Sequence, residues 1–334
     1  MKHWTQLWNT TATLSSFAEG DAAAGYQGEL KTFWEQVFSR APKAATVLDI
    51  GTGNGALAYM ANEYSRAQSK EFVVHGTDAA QINPAAVFAS QPEIAQSLQQ
   101  IKFHSEAATE KLPFEAASID LVTSQFAFEY GEQEASLAEI MRVLKPGGAA
   151  VLMLHHADSD LVKESQVGRD IIQYALGETP LFIQADLLLR IAHQYLENAS
   201  LDEWLKSQHC HATTKTTQWI MGELRNRYSE PQQRVWVDDV IGRVARMMQN
   251  LQKGETVDRM QGLAMQYDAL TKHVMRLDDQ IKAAYDKTAA TTLVDMAQSL
   301  GAKASAEPYS LVINPDHDNK KSLFAMKVVI GKAS

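Results

Sequence analysis

The segment Gly51-Thr52-Gly53-Asn54-Gly55 confines the fold of this 334-residue chain more tightly than any other. It follows Thr46-Val47-Leu48-Asp49-Ile50, an apolar and β-branched run carrying one carboxylate, and precedes the helix-compatible stretch Ala56 to Tyr64. Glycine at alternate positions is needed where a backbone takes positive φ or lies flat against a ligand. A helix starting directly after such a turn presents unpaired N–H groups. The reading is strand, tight turn, helix. A second apolar run, Phe72 to Thr77, ends in Asp78. An acid at the tip of the next strand, about 20 residues past the glycines, can accept hydrogen bonds from ribose hydroxyls. Residues 46–78 therefore read as a nucleoside-binding βαβ unit.

The glycines alone do not name the nucleoside, because Gly51 to Ala56 also satisfies a dinucleotide fingerprint ending in alanine. The next segments narrow it. Glu106-Ala107 and Leu112-Pro113-Phe114 precede the strand-like Ser118-Ile119-Asp120-Leu121-Val122 to Gln125. A helical stretch from Glu132 to Leu144 is then closed by Lys145-Pro146-Gly147-Gly148 and a strand from Ala149 to Leu154. In that order these segments resemble the class I S-adenosylmethionine-dependent methyltransferases, over roughly residues 40 to 156 and more weakly at the C-terminus.

The resemblance implies an α/β, Rossmann-like fold. Its sheet has seven strands, mostly parallel, with an antiparallel C-terminal hairpin whose last strand enters between the fifth and sixth. It also implies S-adenosylmethionine as cofactor. By the same resemblance Gly51, Thr52, Gly53 and Gly55 bring bare backbone to the cofactor's amino-acid tail, and Asp49 helps to fix its ammonium. Asp78 would take the ribose diol, and Ala79 would leave room for adenine. Glu106 and Ala107 would meet the adenine edge, although Asp is commoner at the place of Glu106. Gln125 would lie near the methionine portion.

Phe126, Phe128, Glu129 and Tyr130 follow the fourth strand, and His155-His156 the fifth. Tyr130 and His155 are therefore candidates for the acceptor pocket. His155, ordinarily titrating near neutrality, is a candidate base or equally a structural histidine. Sequence fixes no catalytic residue. Methyl transfer from a sulfonium chiefly needs alignment and exclusion of water, and needs a base only where the acceptor is protonated.

Composition limits the partners. A net charge of −9, with no basic run longer than Lys320-Lys321, argues against nucleic acid. No 18-residue apolar run exists and Met1 to Gln6 lacks a signal-peptide core, so no membrane span is expected. The lone Cys210 fits a reducing, cytoplasmic setting. His209-Cys210-His211 reads as an exposed loop. Neither that triplet nor His155 to Asp160 has metal-ligand spacing, so no metal is expected.

Residues 1–42 are dense in aromatics, with Trp4, Trp8, Phe17, Tyr26, Phe33, Trp34 and Phe38. Leu30, Phe33, Trp34, Val37 and Phe38 have helical spacing. This segment is read as a helix on the sheet, or with Trp4, Trp8 and Tyr26 as a flap over a cationic cofactor. Residues 43–156 and 288–334 form the expected core. Residues 157–287 show only helical patterns and read as an all-α insertion, a lid or a dimerisation element. Within it, Val237 to Leu251 and Met260 to Ile281 have heptad spacing about Lys253-Gly254, which predicts an antiparallel hairpin over about 232–286.

The favoured function is methyl transfer to a small molecule, with a possible homodimer through the insertion. Alternatives are a protein or RNA acceptor, a non-catalytic binding module, and a nicotinamide-dependent oxidoreductase.

Overall fold

A computed structural model describes residues 1–15, 25–312 and 321–334. Phe17 and the hydrophilic stretch Asn314 to Lys320, which the sequence suggests as a turn between the last two strands, lie outside them. The chain forms two compact units, Met1–Val162 with Lys282–Ser334 and, separately, Lys163–Ile281.

The first, the sheet unit, contains helices α1 (Lys2–Thr10) and α2 (Gly28–Arg40), then β1 (Thr46–Ile50), α3 (Ala56–Ala67) and β2 (Val73–Thr77). Short helices α4 (Pro84–Val87) and α5 (Pro92–Leu98) lead to β3 (Lys102–His104) and β4 (Ile119–Gln125). Then come α6 (Gln133–Val143) and β5 (Leu144–His155). The chain returns through α13 (Lys287–Ser299), β6 (Ala302–Val312) and β7 (Lys321–Lys332). The seven strands lie in the order β3-β2-β1-β4-β5-β7-β6. β1 to β5 pair in parallel, and β7 enters antiparallel between β5 and β6. This is the Rossmann-like sheet that the motifs imply.

Strand alternation builds the core on both faces. Leu48, Ile50, Leu152 and Leu154 pack with Leu137, Ile140 and Leu293 of α6 and α13. Val47, Val151 and Met153 point to the opposite face, against Trp34 and Phe38 of α2 and Leu57 of α3. A period of two permits both only because each face is covered. The motif residues beyond the glycines hold this frame. Asp120 accepts from the Thr46 N–H at 2.8 Å and pairs with Lys145 at 2.7 Å, joining β1, β4 and β5. Arg142 of α6 donates to the carbonyls of Leu112 and Phe114, fixing the Leu-Pro-Phe segment.

The second, helical unit takes in most of α7 (Asp160–Gly177), all of α8 (Leu181–Asn198), α9 (Leu201–Lys206), α10 (Gln208–Arg227) and α11 (Pro231–Met248), and most of α12 (Thr256–Ala283). Its core gathers Leu188, Leu196, Trp204, Leu224, Val240, Val244, Leu263, Leu270 and Leu277. Along α11 and α12, Arg259 donates to the Arg246 carbonyl, Arg243 to Gln266, and the Trp236 ring lies tilted 5.6 Å from that of His273. One number falls as the other rises, so the pair is an antiparallel hairpin. The seam is narrower than its heptads: Leu263, Leu270 and Leu277 are buried, whereas Tyr267 is 43% exposed.

One expectation is corrected. His209-Cys210-His211 is not a loop but the first turn of α10, because the Ser207 hydroxyl accepts from the Cys210 N–H and caps the helix. Among the described residues, no group of three or more His, Cys, Asp or Glu side chains gathers as metal ligands would. No described helix is long and apolar enough to cross a membrane.

Candidate active site

The strand order reverses at β1, between β2 and β4, and open α/β sheets bind ligands at such a switch point, beyond the carboxyl ends of the strands. The glycine loop stands there. Gly51, Gly53 and Gly55 have φ of 63°, 53° and 90°. A Cβ on Gly51 would collide with the Ala127 side chain, and one on Gly53 would lie 2.6 Å from the Trp8 ring. The loop is stitched from below: Thr52 N–H donates to the Thr77 carbonyl at 2.9 Å, and its hydroxyl to Asp49 at 2.6 Å.

Two buried carboxylates flank the loop. Asp78 accepts from the N–H groups of Gly53 and Ala80, both at 2.8 Å. Burial nonetheless raises its pKa to about 6 against those lowering bonds. Asp49 accepts from Thr52 and Thr123, and burial raises it to about 7. Tyr26 is pushed upward by burial and then by the Asp49 charge.

Ala107 N–H donates to the Asp78 carbonyl at 2.8 Å and Glu106 N–H to that of Ala80 at 3.2 Å, so this loop lies beside Asp78 and half-buried Ala79. The Glu106 side chain is exposed, its backbone at φ 57°. Gln125 accepts from the Trp34 indole at 2.6 Å while its buried amide nitrogen has no partner. The structure therefore brings Asp49, Gly51, Thr52, Gly53, Gly55, Asp78, Ala79 and Ala107 together at the carboxyl ends of β1 and β2. It ties Gln125 to α2 and turns the Glu106 side chain to solvent.

Helix α1 lies over these residues. Trp8 packs on Gly53, Asn9 donates to the Gln81 carbonyl, and Thr5 accepts from the Gln81 N–H. Asn54, buried within the glycine loop, donates to the carbonyls of Thr11 and Thr13. Sequence reading overlooked Asn54; a fully polar side chain between two glycines was the available signal. From Trp8 an aromatic series continues through Trp4, at 6.3 Å between centroids, to Tyr130 at 5.5 Å and His155 at 5.8 Å.

Tyr130 and His155 thus stand together at the tips of β4 and β5. His155 Nδ1 lies 2.6 Å from a Glu129 carboxylate oxygen, which also accepts from the His155 backbone N–H. Sequence reading named Glu129 only as a residue following β4 and gave it no partner, although an acid in Phe126-Ala127-Phe128-Glu129-Tyr130 is out of place unless partnered. Tyr285, whose N–H donates to the His155 carbonyl at 2.7 Å, was also unforeseen, since it joins from 130 residues away.

Part of the sheet unit is similar in sequence to known proteins. Residues 47–148 match a family described as a methyltransferase domain. That segment of the sheet unit is therefore similar to known methyltransferase domains. The demethylmenaquinone methyltransferase of Thermus thermophilus is 38% identical over 115 residues, 34% of this chain and 48% of that protein. The ubiquinone/menaquinone biosynthesis C-methyltransferase of Rhizobium etli is 33% identical over 116 residues, 34% and 43% of the two chains. The chain thus spans about half the length of these curated relatives. The crystal structure of YcgJ from Bacillus subtilis, 17% identical, covers 90% of this chain and 98% of its own with a TM-score of 0.33. Within the methyltransferase domain, the left-handed glycines, the two buried acids and the unpartnered Gln125 amide are groups that a cofactor with a charged tail and a ribose can complete.

Proposed function

We propose that the methyltransferase domain binds S-adenosylmethionine across the tips of β1 and β2 and passes its methyl group to a small-molecule acceptor. Asp78 carries this reading: it is a buried carboxylate at the end of β2, bonded to the glycine loop, and a ribose diol suits it. When bound, the cofactor supplies an electrophilic methyl on a cationic sulfur. The protein's own part is to align and to exclude water. Gly51 and Gly53 offer bare peptide, Asp49 offers negative charge to an ammonium, and Glu106 with Ala107 borders the adenine edge. Helix α1 acts as the cover, and the faces of Trp4 and Trp8 favour a cation beneath them.

The relatives named for demethylmenaquinone support a small acceptor. The helical unit lies outside the matched segment 47–148, and we assign acceptor recognition or pairing with a second copy to it. Exposed Ile183, Trp219, Val235 and Met265 support the latter. The single cysteine, Cys210, supports a cytoplasmic setting. Titration calorimetry with S-adenosylmethionine and with NAD tests the core reading. Heat with the former alone is expected, and tight NAD binding overturns it. Sedimentation velocity tests the pairing, which a monomer at tens of micromolar would exclude.

A further inference from the structure

Glu129 and His155 are the most deeply buried ion-pairing side chains in the described residues, with side-chain exposures of 0% and 1%. One Glu129 oxygen faces both His155 Nδ1 and the His155 backbone N–H, so the neutral imidazole carries its proton on Nδ1. The other nitrogen, Nε2, is buried without a hydrogen-bond partner, as are the second Glu129 oxygen and the Tyr285 hydroxyl. Burying such groups unpaired is unfavourable, and native folds retain them where a ligand completes them. The surroundings are flat and apolar. Phe126 stands 4.3 Å from the His155 ring and Phe324 5.3 Å from Phe126. Phe126 itself is held at φ 56°, a strained position for a bulky residue and one that recurs at working sites. Burial, with the Glu129 charge second, pushes the Tyr285 phenol up, so it stays a hydrogen-bond donor.

We propose that His155 Nε2 is the proton acceptor of the methyl transfer and that Glu129 is the positioning residue that fixes its tautomer. This rests on the methyltransferase reading above. The acceptor class that needs it is an enol or a phenol, whose O–H proton must leave. The O–H proton passes to the Nε2 lone pair, and the O–H electrons stay on the acceptor as an enolate or phenolate. From its oxygen or conjugated carbon the new bond to the methyl carbon forms, and the carbon–sulfur pair returns to sulfur. The imidazolium, held beside the Glu129 carboxylate, releases its proton to solvent when product leaves. Tyr285 donates to the acceptor oxygen.

The test reads the ring, not turnover. Long-range proton–nitrogen NMR of the 15N-labelled full-length protein, saturated with S-adenosylhomocysteine, locates the His155 proton; His155→Gln assigns the signals. At pH 7.5 Nε2 is expected bare and Nδ1 protonated. In Glu129→Gln the tautomer is expected to redistribute between the two ring nitrogens. Adding 4-nitrophenol to the wild-type complex is expected to protonate Nε2 and to raise the nitrophenolate absorbance below that phenol's own pKa. A purely structural histidine would do neither. A wild-type Nε2–H tautomer, or no response to 4-nitrophenol, overturns the proposal, and the wild-type spectra decide even where the variant does not fold. Calorimetry with S-adenosylmethionine separates the two readings: no cofactor binding removes the methyltransferase reading, whereas binding with an unresponsive His155 removes only the dyad.

Discussion

Asp49, Asp78, Glu129 and His155, all buried in the sheet unit, have no counterparts in the helical unit. There the buried polar side chains are the hydroxyls of Ser165, Thr213, Thr217 and Thr256. Thr213 and Thr217 return their protons to carbonyls one turn back, and Thr256 and Ser165 meet His193 and Gln280. Among the described residues the helical unit leaves no buried side-chain polar atom unbonded, whereas the sheet unit leaves Gln125 Nε2, Glu129 Oε2 and His155 Nε2. The surfaces contrast in the opposite sense. Ile183, Trp219, Val235 and Met265 of the helical unit are 65–75% exposed. An unbonded buried polar atom is unfavourable by about 1–3 kcal/mol, so a fold keeps several together only where something completes them. One unit holds its chemistry inside, and the other offers apolar surface outside.

The contrast breaks if damage to the helical unit reaches the proposed cofactor site. Leu270 is 1% exposed in the helical core. Leu270→Ala is expected to destabilise by about 2–5 kcal/mol, the range for emptying an aliphatic core site. Scanning calorimetry should record the lowered transition, while titration gives an S-adenosylmethionine affinity within twofold of wild type. A parallel collapse of affinity would tie that site to the helical core. The reciprocal change is Asp78→Asn. It removes a charge-assisted acceptor, and cofactor binding should weaken by about 1.5–3 kcal/mol, roughly 10- to 150-fold. Unchanged affinity removes Asp78 from the site.

The same contrast explains what could be read from residues alone. Gly51, Gly53, Gly55 and Asp78 were legible because turn, helix start and strand tip leave local signatures at fixed spacing. So was the position of β7 between β5 and β6, through the resemblance. The Glu129–His155 pair was not, since 26 residues separate its members and only the β4–β5 pairing joins them. Tyr285 arrives from beyond the helical unit, where no spacing rule reaches. His209-Cys210-His211 misled because polar residues in a first turn look like a loop until Ser207 is recognised as the cap.

Acidity sharpens the comparison further, because the two raised acids lie in the sheet unit alone. With Asp78 near 6 and Asp49 near 7, the folded apo protein holds protons between about pH 4 and 7 that the unfolded chain has released. Their contribution to stability is therefore present below about pH 4 and is lost as pH rises through 6 and 7. Burial drives His75 and His273 down to about 4, which works in the opposite sense, so the acids are read by difference against Asp78→Asn. Cofactor affinity should follow ionisation. Ionisation of Asp78 alone is expected to tighten it about tenfold from pH 5 to pH 8, a component that disappears in Asp78→Asn. An affinity independent of pH would mean that neither acid meets the ligand as a carboxylate.

The smallest change addresses the helical unit's self-sufficiency. Ser207 accepts from the Cys210 N–H at 3.1 Å and starts α10, whose Thr213, Thr216 and Thr217 hydroxyls donate to carbonyls within the helix. Ser207→Ala should lower stability by about 1 kcal/mol, the usual loss for an N-cap. Hydrogen exchange should quicken at Cys210 and His211, while Asp78 and His155 keep their protection. Faster exchange at Asp78 would show that the caps of one unit help to hold the other's proposed site, and the division of labour between polar interior and apolar exterior would then have to be abandoned. Exchange confined to the first turn of α10 instead leaves that site dependent only on the glycine loop, α1 and the strands beneath it.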